Sequence, residues 1–176
     1  ETISAFFLDR KGNLWIGTWD NLFILSKIER DKIDSNAPLK LTSMLRKHHI
    51  SPMTIFKIIE DKDGELWMST TRGIYRYIPS AEDYYNGTFL NYSNPATSNN
   101  VLTNNFMTDI FVDQVSAGAN KIIWAGTSNG LNKLLFTKEG MKVLHIKNDT
   151  TSTGLKGEFI SVIHQDSNSD LWIIGI

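Results

Sequence analysis

The chain has 176 residues, of which 41% are hydrophobic and 21% are charged, as in a soluble globular domain with a sizeable core. Its 18 Lys and Arg residues and 19 Asp and Glu residues give a net charge of −1, and no basic cluster indicates direct contact with nucleic acid. There is no cysteine, which excludes a disulfide framework, thiol catalysis and cysteine-ligated metals.

The first 45 residues contain four predicted β-strands, in an order that the rest of the chain repeats. An apolar strand at 3–9 ends in Asp, and the turn RKGN leads to a second strand, LWIGT, at 14–18. The turn WDN leads to a third strand, LFILSKI, at 22–28, and PLKLTSML at 38–45 is the fourth. β-Branched and aromatic residues fill these runs, whereas Gly, Asn, Asp and Ser fill the breaks.

This order returns three times, so that the repeats cover about residues 3–45, 54–93, 106–147 and 159–176. The second strand of each repeat carries a tryptophan, and the four tryptophans are 52, 57 and 48 residues apart: Trp15, Trp67, Trp124 and Trp172. Periods of roughly 40–50 residues with four strands each are typical of propeller blades. We therefore predict an all-β fold, a partial β-propeller over residues 1–176 with about three and a half four-stranded blades, whose ends cut through blades.

The repeated residues are predicted to be structural. One tryptophan per blade would fill the space between adjacent sheets, and Gly17 and Gly126 would allow close backbone approach. Each first strand ends in an aspartate whose carboxylate is expected to accept N–H bonds from the following turn: Asp9, Asp61, Asp113 and Asp166. Threonines end the second strands and are expected to bond turn backbone: Thr18, Thr70 and Thr127.

Candidate ligand-binding residues gather at one end of the predicted propeller. Because strand connections alternate between the two ends of an antiparallel blade, the turn after the tryptophan strand and the connection between blades share one end. Planar amides, charges and an exposed aromatic are groups that bind sugars, although polar loops occur in every protein. The candidates are Trp19, Asp20, Asn21, His49, Arg72, Asn104, Asn105, Asn129, Lys156 and Glu158.

No motif of a catalytic or metal site accompanies these residues in the sequence. The four histidines, His48, His49, His145 and His164, have no metal-ligand spacing, and neither G-x-S-x-G, a P-loop nor a dinucleotide fingerprint occurs. The stretch DKDGELW is faintly similar to the Asp-box of sialidase propellers, but its spacing differs. We expect no catalysis, metal or cofactor in this segment.

The composite pattern resembles the two-component regulator propeller repeat. It consists of an apolar strand ending in Asp, a Gly-containing turn, L-W-I-G-T, and G-L before another strand, and IIWAGTSNGLNKLLF at 122–136 fits it closely. Asn21-Leu22, Gly73-Ile74 and Ser69 depart from it. The resemblance implies seven-bladed propellers in the periplasmic sensor of a hybrid two-component histidine kinase, with the parent protein anchored in the inner membrane.

The resemblance also implies a role. Sensors of this kind recognise glycan-derived oligosaccharides and switch on polysaccharide-utilisation genes through cytoplasmic kinase and DNA-binding parts. The expected partners are an oligosaccharide, the rest of the same parent chain and a second copy of the parent. Two alternatives stay open: a propeller lyase or hydrolase resembling streptogramin B lyase, and a scaffold that binds another protein.

Overall fold

The computed structural model describes residues 2–35, 37–94, 101–113, 120–146 and 159–176. Its first sheet consists of β1 (Ile3–Leu8), β2 (Leu14–Thr18), β3 (Leu22–Leu25) and β4 (Leu41–Ser43). The second consists of β5 (Ile55–Glu60), β6 (Leu66–Thr70), β7 (Gly73–Ile78) and β8 (Thr88–Tyr92). The third consists of β9 (Met107–Asp113), β10 (Lys121–Thr127), β11 (Gly130–Thr137) and β12 (Gly140–Ile146), and the fourth of β13 (Ile160–Gln165) and β14 (Leu171–Gly175).

Each sheet is an antiparallel meander in which neighbours in sequence are neighbours in space. The first strands β1, β5, β9 and β13 contact one another in turn, so they form the inner side of a radial array. This arrangement is a β-propeller with about three and a half blades, as the repeat pattern predicts. Among the described residues, no helix is long and apolar enough to cross a membrane.

The turn between the first and second strand requires a left-handed residue at its third position. Gly12 and Gly64 have φ values of 84° and 79°, and Ser169 takes the same place in the fourth sheet with a φ of 69°. Each of these residues donates its backbone N–H to the carbonyl of the preceding aspartate. Glycine adopts this conformation without a Cβ penalty, which explains the glycines in the first two repeats.

Two predicted strands are shorter than the apolar pattern indicates. β3 ends at Leu25 because Ser26 caps a one-turn helix, α1 (Lys27–Arg30), and its hydroxyl accepts the Glu29 N–H at 3.1 Å. β4 ends at Ser43, which caps α2 (Met44–Lys47) in the same way. A serine hydroxyl satisfies a free N–H at a helix start, so local capping overrides the strand pattern here. Single 3₁₀ turns occur at Ile33–Ser35 and Tyr84–Asn86.

The hydrophobic core lies between successive sheets. Trp15 and Trp67 are fully buried, each on the side of its sheet that faces the next one. Trp124 is half-buried, and Trp172 in the fourth sheet is 61% exposed. On the opposite side of the array, the free face of β1 leaves Phe6 61% exposed.

Small residues in the second strands let the sheets approach closely. A Cβ on Gly17 would lie 2.7 Å from Ile55 Cβ, and one on Gly126 would lie 2.8 Å from Ile160 Cγ2. Ser69 takes this position in the second sheet, and the following sheet there begins with Met107. The two glycines therefore set the spacing of two of the three junctions.

Candidate functional site

The turns after β2, β6 and β10 lie at the same end of the molecule as the segments that lead into the next blades. The Trp19 N–H donates to the Thr2 carbonyl at 3.3 Å, Thr71 to Thr54 at 3.2 Å, and Ser128 to Phe106 at 3.1 Å. Each turn is thus tied to the residue before an inner strand. We call this end the connection face; it comprises residues 19–21, 44–54, 71–72, 101–106 and 128–129.

A threonine hydroxyl holds each of these turns. Thr70 Oγ1 donates to the Gly73 carbonyl at 2.7 Å and accepts the Arg72 N–H at 2.9 Å. Thr127 makes the equivalent pair of bonds with Gly130 and Asn129. The hydroxyl satisfies backbone groups that the tight turn leaves unpaired, so it holds the backbone from which the central side chains of the turn project.

Four of the predicted binding residues use their side chains to hold backbone or turn structure. Asp20 accepts a hydrogen bond from Thr18 Oγ1, and Asn21 Oδ1 accepts the Leu22 N–H and the Ser43 hydroxyl. Asn104 Oδ1 accepts the Phe106 N–H at 2.7 Å. Asn105 exchanges two hydrogen bonds with the backbone of Asn94. These contacts account for the four residues without a ligand.

The other predicted residues that the structure describes keep their side chains available. The side chains of Trp19, His49, Arg72 and Asn129 are exposed and form no hydrogen bond or ion pair with any described residue. Trp19 is 65% exposed. Lys156 and Glu158 lie outside the described residues.

Thr54 connects the turns of the first two blades. Its hydroxyl donates to the Trp19 carbonyl at 2.8 Å, and its N–H donates to Thr71 Oγ1 at 3.2 Å, next to Arg72. The turns of the two blades are therefore joined through one residue at the inner rim.

Two phenylalanines that are not among the predicted binding residues also lie at this inner edge of the connection face. Phe56, two residues after Thr54, contacts the Phe106 ring with centroids 5.2 Å apart. Phe106 is 43% exposed although it directly precedes an inner strand. In a sequence, an aromatic residue next to a strand usually indicates a core position. Only the position of Phe106 directly before β9, in the connection between blades, could have indicated an exposed side chain. We call Trp19, Thr54, Phe56, Arg72 and Phe106 the rim cluster.

Phe56 replaces a hydrogen bond between blades. Its equivalents in β1 and β9 are hydroxyl residues: Ser4 Oγ donates to the Ile55 carbonyl at 2.6 Å, and Thr108 Oγ1 donates to the Ile160 carbonyl. β5 instead reaches the next blade with Lys57, whose Nζ lies 2.6 Å from Asp109 Oδ1. The rim of the second blade is consequently more apolar than the rim of the others.

The opposite end of the molecule is dominated by aspartate–tryptophan pairs. Asp9 Oδ1 accepts the Asn13 N–H, and Asp9 Oδ2 accepts the Trp15 indole N–H at 2.9 Å and the Tyr84 hydroxyl at 2.7 Å. Burial raises the pKa of Asp9, but the hydrogen bonds from Tyr84, Trp15 and Asn13 outweigh burial and lower it. Asp166 binds the indole of Trp172 in the same way.

The third blade departs from this pattern. Trp124 Nε1 is buried and has no hydrogen-bond partner among the described residues. The turn between Asp113 and Trp124 is longer than in the other repeats, so the six-residue spacing that joins the other pairs is lost. The sequence pattern predicts backbone bonds for the aspartates, and the indole bond is an additional feature of the structure.

The carboxylates of Asp61, Asp63 and Glu65 lie close enough together to hold a metal ion. Lys121 Nζ lies among them, 2.5 Å from Asp61 Oδ2 and 3.2 Å from Asp63 Oδ2, and it also pairs with Glu65. Burial raises the pKa of Asp61, yet bonds from Lys121 and Trp67 outweigh that effect and lower it. The lysine ammonium thus supplies the positive charge that this cluster requires.

Two stretches of the sequence match the model of a known protein family. Residues 1–20 and 49–72 match the family model described as two component regulator propeller. No curated protein matches the chain.

Solved structures share the fold. The extracellular domain of BT4673 from B. thetaiotaomicron, named as a one component system, is 22% identical with a TM-score of 0.65 over 98% of this chain and 22% of that chain. The extracellular domain of BT3049 from B. thetaiotaomicron, named as a hybrid two component system, is 18% identical with a TM-score of 0.66 over 97% of this chain and 20% of that chain. A streptogramin B lyase is 15% identical with a TM-score of 0.59 over 97% of this chain and 47% of that chain. The chain therefore spans about a fifth of the length of the two extracellular domains.

Proposed function

Because this chain carries two-component regulator propeller repeats, we propose that it is the ligand-sensing propeller segment of a two-component sensor and that its ligand is a glycan-derived oligosaccharide. The rim cluster is the observation that carries the ligand class. It combines the exposed rings of Trp19 and Phe106 with the guanidinium of Arg72, which has no hydrogen bond or ion pair to a described residue, on one rim.

Sugars match this combination of groups. A pyranose ring has an apolar C–H face, which packs on an aromatic ring, and a hydroxyl edge, which needs donors and acceptors in fixed positions. Phe106 and Trp19 offer aromatic rings for the C–H face, and Arg72 and Asn129 offer hydrogen-bonding groups for the hydroxyl edge. Since the threonines hold the turns through backbone bonds, little backbone conformational entropy is lost when a ligand binds.

The proposal extends to the parent protein. The similar extracellular domains support a location outside the cytoplasm, which we take to be the periplasm, for the segment. The parent would be anchored in the inner membrane, act as a homodimer and pass the signal to a cytoplasmic histidine kinase and parts that regulate genes for polysaccharide utilisation. Other portions of the same chain would complete the propeller.

The segment itself is proposed to be non-catalytic. The rim cluster contains one titratable residue, Arg72, and lacks the acid and base pair that glycoside cleavage requires. The likeness to streptogramin B lyase is a likeness of fold.

Isothermal titration calorimetry against a panel of oligosaccharides tests this function. Trp19→Ala is expected to abolish or strongly weaken binding without changing the melting temperature. Trp172→Ala is the matched control, because Trp172 is exposed to a similar extent but lies away from the connection face. A depolymerisation assay on the same sugars should show no products.

Two results would overturn the proposal. Binding that survives Trp19→Ala and Phe106→Ala unchanged would remove the rim cluster from the site. A panel without any bound sugar, together with capture of a protein through the same face, would favour the scaffold function.

A further inference from the structure

The connection face carries an excess of positive charge. Its described residues include three basic side chains, Arg46, Lys47 and Arg72, and a single carboxylate, Asp20. None of the three cations takes part in an ion pair with a described residue. The chain as a whole has a net charge of −1, so the positive charge belongs to this end and not to the overall composition.

Arg72 differs from the arginines at the opposite end of the molecule. Arg10 pairs with Glu60 there, and Arg76 makes two hydrogen bonds to Glu65. Arg72 follows Thr71, whose hydroxyl accepts the Thr54 N–H, and its own N–H donates to Thr70. Its backbone is therefore fixed at the rim, while its guanidinium bonds to none of the residues that the structure describes.

From these charges and positions we propose that the connection face takes an acidic oligosaccharide, whose carboxylate or sulfate binds Arg72 while a sugar ring lies on Phe106 or Trp19. This inference rests on the proposed function. A guanidinium presents parallel N–H groups that match the two oxygens of a carboxylate or sulfate. Arg46 and Lys47, at the outer part of the same face, would attract the polyanion before it docks.

Pairs of ligands that share a sugar backbone and differ only in charge show how much the negative group contributes to affinity. The panel consists of oligogalacturonate, oligoglucuronate and oligomannuronate, each beside its neutral methyl ester, and of a sulfated and an unsulfated galacto-oligosaccharide. Calorimetry is expected to show binding of an acidic member and at least a tenfold weaker affinity for its neutral counterpart. The uronate and sulfate arms separate the two sources of the negative group.

Arg72→Gln should weaken binding of the acidic ligand by about 10- to 100-fold, the range for a charged hydrogen bond in a protein. It should leave the weak binding of the neutral ligand unchanged. Arg30→Gln is the control, since it removes an arginine of α1 that lies beside the Gly12 turn, at the opposite end from the connection face. Raising the salt concentration should weaken binding of the acidic ligand and leave binding of the neutral ligand unchanged.

The outcomes distinguish the two proposals. Binding of a neutral sugar in preference to its acidic counterpart would overturn the acidic class and leave the oligosaccharide function standing. Equal affinity of wild type and Arg72→Gln for an acidic sugar would also overturn it. If no sugar of either kind binds, both proposals fail.

Discussion

Replacing Trp67 by alanine tests whether the repeated tryptophans hold the blades together. The side chain is fully buried, stacks on Tyr92 with centroids 6.0 Å apart, and meets the edge of Phe136 at 5.4 Å. Its indole N–H donates to Asp61 Oδ2 at 2.9 Å. Removing a buried tryptophan costs about 3–5 kcal/mol of unfolding free energy, and this site lies at the upper end because nothing can fill the gap between two sheets.

Such a loss should lower the melting temperature by roughly 10–20 °C in a protein of this size. Urea unfolding followed by circular dichroism is the suitable measurement, because the variant lacks one of the fluorophores. Trp67→Phe, which keeps a ring but loses the indole N–H, should retain most of the stability.

Trp172→Ala provides the matched comparison. Trp172 occupies the same place in its sheet and makes the same bond to an aspartate, but it is 61% exposed. We expect its removal to change stability little. If Trp67→Ala lowered the unfolding free energy by less than about 1 kcal/mol, well under the usual cost of removing a buried tryptophan, the packing argument would be refuted. Equal losses in both variants would refute it as well.

Three further predictions concern stability and association. Gly126→Ala should destabilise the protein by about 1–3 kcal/mol through overpacking against Ile160, and a neutral effect in urea unfolding would contradict the close approach of the two sheets. Because the pKa of Asp61 is lowered from the ordinary value of 3.8, its stabilising contribution is present above that pH and lost as the pH falls below it. Unfolding at a series of pH values should therefore show a shallower acid decline for Asp61→Asn than for wild type. The exposed apolar faces at the two ends of the array should promote association, so light scattering should detect species larger than 20 kDa, and fewer of them for Ile174→Lys.

Much of the fold follows from the sequence because the repeats agree with one another. The tryptophan spacing and the strand order predict the sheets, and strand parity predicts that Trp19 and Arg72 lie at the same end. The apolar pattern does not predict the strand ends at Leu25 and Ser43, since the capping hydroxyls of Ser26 and Ser43 act over three residues and leave that pattern unchanged.

The candidate site was predicted less completely, for reasons of geometry. Whether an asparagine serves a ligand or its own backbone depends on angles that the sequence does not contain, and Asn21 and Asn105 turned out to hold backbone. Phe56 and Phe106 belong to the rim because of a contact between two blades about 50 residues apart in sequence. The roles of Trp19 and Arg72 in binding stay predictions.

The junctions between sheets limit how such a chain can grow by recombination. Gly17 faces Ile55, whereas Ser69 takes the same position where the next sheet begins with Met107. A tandem copy of the second repeat would set Ser69 against a copy of Ile55, a combination found at none of the described junctions. The serine side chain would crowd the isoleucine at the distance that separates Gly17 from Ile55. A copy of the first repeat would set Gly17 against Ile3, which preserves the existing match of glycine with isoleucine. Duplication of blades in this lineage is therefore expected to start from repeats whose second strand carries glycine.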